Sequence, residues 1–431
     1  MSEPVLDVVG IGFGPSNLAL AIAVAEHNAA GGPRVTTRFL ERQATFGWHR
    51  GMLLDDATMQ VSFLKDLVTL RNPTSGFSFL RYLHSRGRLI DFINHKNLFP
   101  LRAEFHDYFG WAAAQVGDQV TYAAEVVSVT PVDGPGGQIE AVDVVSRQGG
   151  RLSTHRARNL VIGTGLRPRL PEGVTASQHI WHTSDLLHNL PRIRGTRVRR
   201  FVVVGAGQSA AETVATLHTE FPEAEVCAVF SRYGYSPADD SSFANRIFDP
   251  QAVDEFYRAP EDVKRQLMDY HGNTNYSVVD IDLINDLYRR AYQEKVLGRE
   301  RLRMLNMSRM VHVSDTPDGA VAGIQSLVTG ETTTLEADVV VCATGYHQAD
   351  PYGVLGAVGD LCARDDQGRP RAGRDYRAAT DERLRVGIYL QGGTEHTHGI
   401  TSALLSNTAI RVGEILDSIV ARRTAPALVT V

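Results

Sequence analysis

The apolar positions of this chain gather in short runs that stop at glycine, and the first run sets an order that returns later. Leu6-Asp7-Val8-Val9 predicts a buried strand, Gly10-Ile11-Gly12-Phe13-Gly14-Pro15 a tight turn, and the Ala- and Leu-rich stretch from Asn17 to Ala25 a helix. Val35 to Leu40 carries strand-forming residues and ends at Glu41. Near residue 200 the order recurs: Phe201-Val202-Val203-Val204, then Gly205-Ala206-Gly207-Gln208-Ser209-Ala210, a helical stretch Ala211 to His218, and a strand Val226 to Phe230. Strands alternating with helices in this way predict parallel sheets of βαβ units. The openings lie 195 positions apart (Gly10 to Gly205), so this is one kind of unit used twice and not a short tandem repeat.

Between Ser236 and Arg303 proline and charge become frequent. Ile281, Ile284, Leu287, Tyr288 and Ala291 then fall at helical spacing, which predicts a largely helical insertion attached to the second unit. Glu336 to Ala343 is a buried-strand signal running into Thr344-Gly345-Tyr346, and Gly387 to Ile419 predicts a strand, a glycine-rich turn and a helix. The expected fold class is α/β, with two Rossmann-like dinucleotide-binding domains and a smaller, mainly helical insertion. The expected division gives residues 1–190 and 340–431 to the first domain and 191–339 to the second, with the insertion at about 236–303.

Composition narrows the classes. The chain has 431 residues, 43% hydrophobic and 22% charged, which suits a multidomain globular protein and excludes a disordered or collagenous one. A net charge of −5 gives no bulk attraction to nucleic acid or an anionic membrane. No apolar run reaches the roughly 18 residues of a membrane span. The start Met1-Ser2-Glu3-Pro4 carries no basic leader signal. Cys227, Cys342 and Cys362 are odd in number and far apart, so neither a disulfide framework nor a four-cysteine zinc site is expected. The expected compartment is the cytoplasm.

The glycine turns carry the first chemistry. Glycines between strand and helix let the backbone approach a pyrophosphate, and the helix N-terminus holds its charge. Each copy here has the strand before it and the helix after it that the motif requires. In the first copy Gly10, Gly12 and Gly14 are followed by Pro15, suited to a first helical turn. Glu41 closes the next strand, placed to accept from a ribose hydroxyl. In the second copy (Gly205, Gly207, Gln208, Ser209) the equivalent strand is followed by Ser231-Arg232 with no acid. A guanidinium there suits the 2′-phosphate of NADPH. Thr-Gly pairs after strands at Gly163-Thr164-Gly165 and Ala343-Thr344-Gly345 let the chain pass close to a cofactor. The layout suits FAD in the first unit and NADPH in the second.

Several segments together resemble the microbial flavin-dependent N-hydroxylating monooxygenases of hydroxamate siderophore biosynthesis. They are Gly10 to Asn17, Met59 to Leu67, Asn72-Pro73-Thr74-Ser75, Asn273-Thr274-Asn275-Tyr276-Ser277, Asp338 to Tyr346, and His398-Gly399 through Ser406. Leu70-Arg71-Asn72-Pro73 and Ala244-Asn245 are more similar to the ornithine than to the lysine branch. The resemblance implies that NADPH reduces FAD, that O2 adds to form a C4a-hydroperoxyflavin, and that the neutral side-chain amine of L-ornithine attacks it. It implies Lys65, Asn245 and Ser406 as amino-acid ligands and Asn275 beside both substrate and nicotinamide. It places Gln60, Trp48 and His49 along the flavin, with Asn275 and Gln60 nearest the chemistry. A homo-oligomer, dimer or tetramer, fits the same resemblance.

The residues support this independently in one respect. A free amino acid needs a cation for its carboxylate, and Lys65 lies in an apolar stretch between Phe63-Leu64 and Leu67-Val68. No dedicated catalytic base is evident. Other signals lead elsewhere or nowhere. His396-Thr397-His398 lacks a third ligand at metal-binding spacing, so no metal is expected. Cys227 and Cys342 stand in separate apolar strands, unlike a dithiol reductase pair. No Gly-x-Ser-x-Gly elbow follows a strand, and Gly173 to Trp181 does not supply a Baeyer–Villiger fingerprint. The remaining alternatives are a lysine or diamine N-monooxygenase and, from a different class, a non-catalytic flavin and NADP(H) sensor.

Overall fold

Residues 4–424 are described by the computed structural model; Met1 to Glu3, where no leader was expected, lie outside the described residues. The first half runs β1 (Val8–Ile11), α1 (Pro15–Ala29), β2 (Thr37–Leu40), α2 (Phe79–Ser85), α3 (Leu89–His95), α4 (Arg102–Gln115), β3 (Val120–Thr121), β4 (Glu125–Asp133), β5 (Ile139–Gln148), β6 (Arg151–Ala157), β7 (Asn159–Ile162) and β8 (Leu166–Pro168). Next come β9 (Ile180–His182), α5 (Leu186–Asn189), β10 (Arg200–Val204), α6 (Gln208–Glu220), β11 (Glu225–Val229), α7 (Pro250–Arg258), α8 (Glu261–His271) and α9 (Ile281–Val296). The chain closes with β12 (Leu302–Leu305), β13 (Ser308–Thr316), β14 (Gly319–Ser326), β15 (Thr332–Ala337), β16 (Val339–Cys342), β17 (Tyr346–Gln348), β18 (Gly387–Leu390), α10 (Glu395–His398) and α11 (Thr408–Thr424).

Two parallel five-stranded sheets result, in the orders β18-β7-β1-β2-β3 and β12-β11-β10-β16-β9. Their central strands are buried on both faces, which is why β1 and β16 read as unbroken apolar runs. Each sheet also carries an antiparallel meander, β4-β5-β6 ahead of β7 and β13-β14-β15 ahead of β16. The duplication therefore extends well beyond the glycine turns.

Three expectations need correction. Helix α9 was assigned to the insertion, but it links β11 to its parallel neighbour β12 and buries Leu287 in the second unit's core. A parallel pair needs such a crossover, so α9 belongs to the Rossmann unit itself and the insertion proper ends near Asp280. The boundary at 190/191 puts β9 in the wrong unit, because β9 pairs with β16 of the second sheet. The boundary at 339/340 cuts through β16, which pairs with β10. A strand belongs with the sheet that satisfies its backbone. Further, Met52, Leu54 and Ala57 from the N-terminal stretch pack into the second unit's core with Phe201 and Leu217. The units are joined by β8 and β17, which pair antiparallel as a two-stranded ribbon.

Candidate functional site

At the first turn the backbone folds tightly enough to exclude side chains. Gly12 has φ +84°, and a Cβ there would lie 2.5 Å from the Gly163 carbonyl. A Cβ on Gly14, in contrast, would meet nothing within 4 Å. Open room at the N-terminal cap of a 15-residue helix, with Pro15 in its first turn, is the cradle a pyrophosphate needs. Asn17, fully buried, braces the turn by donating to the Gly12 carbonyl (2.7 Å) and accepting from Gln391 Nε2 (2.8 Å). Glu41 is 6% exposed; its Oε2 accepts from Phe13 N (2.6 Å) and its Oε1 from Gln43 N (2.8 Å). Each oxygen retains a lone pair for a ribose hydroxyl. These residues fit FAD.

Trp48 packs edge-on against Phe109, 5.3 Å between centroids, and against His49 at 4.7 Å. His49 takes a left-handed conformation (φ 49°) and faces Tyr346 of the ribbon at 6.1 Å. Although the residue is exposed, the protein packed around its ring, then the Arg102 charge, lower its pKa to about 4. The ring is therefore neutral at pH 7. Gln60 is exposed.

In the second cradle Gly205 (φ +147°) abuts the Ala343 carbonyl, 2.3 Å from where a Cβ would sit. Gly207 caps α6 and lies 3.5 Å, measured from its would-be Cβ, beneath Ser277 Cα. Arg232 donates to the Ser277 carbonyl (2.8 Å), so it and the Asn275-bearing loop meet over the cradle. Tyr276 OH ties that loop to Glu395 of α10. Ser209 is half-buried. Gln208 Nε2 donates to Glu212 and its Oε1 accepts from Asp280 N, so its side chain is engaged within the protein. Its backbone N–H, at the start of α6, is left for the nucleotide role expected of it.

Lys65 is half-buried, with Nζ 5.3 Å from the Phe248 ring centroid. Desolvation lowers its pKa, and nearby Asp249 offsets part of that shift. The fold has thus carried Lys65 from the first unit to the insertion segment holding Asn245, whose Nδ2 donates to the Asp240 carbonyl (2.7 Å). Ser406 is 2% exposed and its Oγ has no partner among the described residues. Asn275 is half-buried and its backbone N–H donates to Gly272.

The histidine pair His396 and His398 turns inward. Nε2 of each faces a carbonyl, Pro370 at 2.9 Å and Arg374 at 3.2 Å. His398 also stacks on Tyr376 at 4.1 Å, and burial lowers its pKa to about 4. The three cysteines are buried free thiols; burial pushes Cys227 up to about 12 and Cys342 and Cys362 to about 11.

Sequence reasoning missed a buried ion pair, Arg102 with Glu212, which closes the seam between the units at 2.7 Å. The available signal was a lone acid among the apolar positions Ala210, Ala211 and Val214.

Residues 4–348 match the family model described as L-lysine 6-monooxygenase/L-ornithine 5-monooxygenase. An L-ornithine N(5)-monooxygenase of Burkholderia cepacia is 41% identical over 409 residues, covering 92% of this chain and 90% of its own. The solved ornithine N-hydroxylase of Kutzneria sp. 744, with reduced FAD, NADP+ and L-ornithine, superposes with a TM-score of 0.93 at 47% identity, covering 98% of this chain and all of that one (100%). The ornithine hydroxylase of Pseudomonas aeruginosa gives 0.91 at 36% identity, with coverage of 98% and 100%. With this fold, these cradles and matches across nearly its whole length, the chain belongs to the L-lysine 6-monooxygenase/L-ornithine 5-monooxygenase family.

Proposed function

We propose that this chain is an FAD- and NADPH-dependent L-ornithine N5-monooxygenase that forms N5-hydroxyornithine from L-ornithine and O2. The named activities of its relatives support the reaction. The observation that carries the substrate class is Lys65, a half-buried ammonium placed against the insertion and weakened by desolvation. A carboxylate arriving there restores the charge balance that burial opposes. Asn245 and Ser406 complete the amino-acid site, and Asn275 serves both substrate and nicotinamide.

When bound, FAD supplies hydride acceptance from NADPH and activation of O2. The protein holds the two nucleotides on Gly10, Gly12, Gly14, Pro15 and Glu41 in one unit, and on Gly205, Gly207, Ser209, the Gln208 backbone and Arg232 in the other. Trp48, His49 and Gln60 line the flavin. The ornithine side-chain amine, with a pKa near 10.4 in water, reacts only when neutral. A pocket that excludes water favours that form by desolvation, so no dedicated base is needed.

The test is O2 uptake with NADPH and added FAD against ornithine, lysine and putrescine, read beside hydroxylamine formation. Coupled turnover confined to ornithine is expected. Equal coupling with lysine shifts the reading to the other branch, because one methylene is worth only about 1–3 kcal/mol. Cofactor binding with no amine-stimulated uptake makes the protein a sensor. The reading also includes a cytoplasmic location, which suits three buried free thiols, and a dimer or tetramer, to be checked by light scattering. Among the described residues no helix is long and apolar enough to cross a membrane.

A further inference from the structure

The ribbon of β8 and β17 is three residues long on each strand and joins two units, each built on a five-stranded parallel sheet. So narrow a joint does not set the angle at which one cradle faces the other. The seam beside it adds contacts between the units to the Tyr276–Glu395 tie. Gly51 lies so close to the Ser184 carbonyl that a Cβ would sit 1.7 Å from it, and Met52, Leu54 and Ala57 enter the second unit's core. Over this apolar plug sits one ion pair. Arg102, at the start of α4, donates Nη1 to Glu212 Oε2 at 2.9 Å and Nη2 to Oε1 at 2.7 Å. Its side chain is 12% exposed and that of Glu212 5%. Nη1 also donates to the Met52 carbonyl at 2.9 Å.

The contact continues into the second cradle. Gln208 Nε2 donates to Glu212 Oε1 at 2.9 Å, and Gln208 Oε1 accepts from Asp280 N at 2.8 Å. Asp280 caps α9 and ends the loop that carries Asn275. On the other side the Arg102 charge is felt by His49 and by Tyr346 of the ribbon. A buried pair of this kind is costly to desolvate, and apolar side chains of similar size hold a seam as well or better. What a two-pronged guanidinium–carboxylate contact adds is direction.

We infer that Arg102 and Glu212 are positioning residues for hydride delivery. They lock the first turn of α6, and through Gln208 the Asn275 loop, at a fixed angle to the Trp48–His49 face. This rests on reading the second unit as the NADPH site. A misplacement of about 1 Å costs a transfer step on the order of 100-fold.

The experiment compares the FAD-loaded parent with Arg102→Met/Glu212→Met, which removes the pair without stranding a buried charge, and with Arg102→Lys, which keeps the charge but loses the fork. For the double variant we expect anaerobic flavin reduction at saturating NADPH to slow by about 10- to 100-fold. Its dissociation constant for NADP+ should stay within about threefold, by the same separation of binding from orientation. Proteolysis of the ribbon near Gly165 and Gly345 should quicken. Reoxidation of the dithionite-reduced variant by O2 should be unaltered. Arg102→Lys should slow reduction several-fold, and it decides the matter alone if the double variant does not fold. Parent-like reduction overturns the inference, as does a loss of rate that only mirrors lost NADP+ affinity. A parent flavin that NADPH cannot reduce fails the NADPH reading instead.

Discussion

The two glycine cradles share a backbone plan and differ in what surrounds it. In each, a glycine presses against the carbonyl of a neighbouring strand, Gly12 against Gly163 and Gly205 against Ala343. Behind the first cradle the polar groups are buried: Asn17, Glu41 and Gln391 are at most 6% exposed and bond to one another or to the turn. Around the second, besides the buried Glu212, Arg232 and Ser277 stand exposed at the rim, with a loop from the insertion as the roof. Buried, pre-oriented acceptors suit a ligand that stays, while rim charges under a loop suit one that comes and goes. The same fold thus offers a cradle backed by buried polar groups in one unit and a cradle rimmed by exposed ones in the other.

The sharpest way to break this comparison is to fill each cradle. An alanine at a left-handed glycine costs about 1–2 kcal/mol, and overpacking adds roughly 1–3. Gly12→Ala should therefore yield protein largely devoid of flavin absorbance. Gly205→Ala should keep its flavin but lose reduction by NADPH at least 100-fold, in line with a loss of about 3 kcal/mol. Flavin content per chain and stopped-flow reduction measure both, and flavin loss from Gly205→Ala would mean the cradles are not separate.

The next effect concerns the space between them. Lys65→Ala removes a charge-assisted contact worth about 1.5–3 kcal/mol, so the ornithine KM should rise roughly 10- to 200-fold. Flavin reduction by NADPH should persist, while more of the O2 consumed leaves as H2O2. Putrescine, which lacks the carboxylate, should be handled alike by both proteins. Saturation with ornithine at the parent's concentration, with parent-like coupling, would make Lys65 structural.

Smaller again is the rim charge of the second cradle. Arg232→Ala should weaken NADPH by about tenfold and leave NADH nearly untouched, because the exposed guanidinium gains less than a buried one. Titration of both nucleotides against the two proteins checks it. An unaltered preference would remove Arg232 from the site.

The smallest effect separates the units by acid. His398 in the first unit is held neutral, with its pKa lowered by burial to about 4 from the usual 6.5. Its contribution is complete above 6.5 and is lost as pH falls towards 4, because the unfolded chain then binds the proton first. From pH 7.5 to 5.5 that loss is on the order of 1 kcal/mol. His398→Gln should lose less stability than the parent over this range in urea titrations. Parallel losses in the two proteins would assign the acid sensitivity to other groups.

Both Rossmann openings were legible because their strands are buried on two faces and their turns require glycine. The meanders were not, since β4 and β6 expose most of their residues and leave no apolar run to read. The α9 assignment failed for a related reason: periodicity reveals a helix but not the strands it connects. Among the candidate site residues, Lys65 stands out as a charge in an apolar stretch, and Arg232 by its place after a strand. The seam does not. Arg102 and Glu212 are 110 residues apart and meet only because the N-terminal plug crosses between the units. Gln208 looked like a nucleotide contact from its position, and only the folded neighbours Glu212 and Asp280 reveal where its side chain goes.

The ribbon of β8 and β17 also orders events during synthesis. The second sheet is complete once β16 has emerged, whereas the first waits for β18 at residues 387–390 and for α11, which shares a core with α1. At about 5–20 residues per second, the stretch between β7 and β18 takes the ribosome roughly 10–45 seconds. Throughout that interval the face of α1 destined for α11 has no cover. The unit that begins first therefore finishes last, and its N-terminal half is the part of the nascent chain most exposed to chaperones and to misassociation.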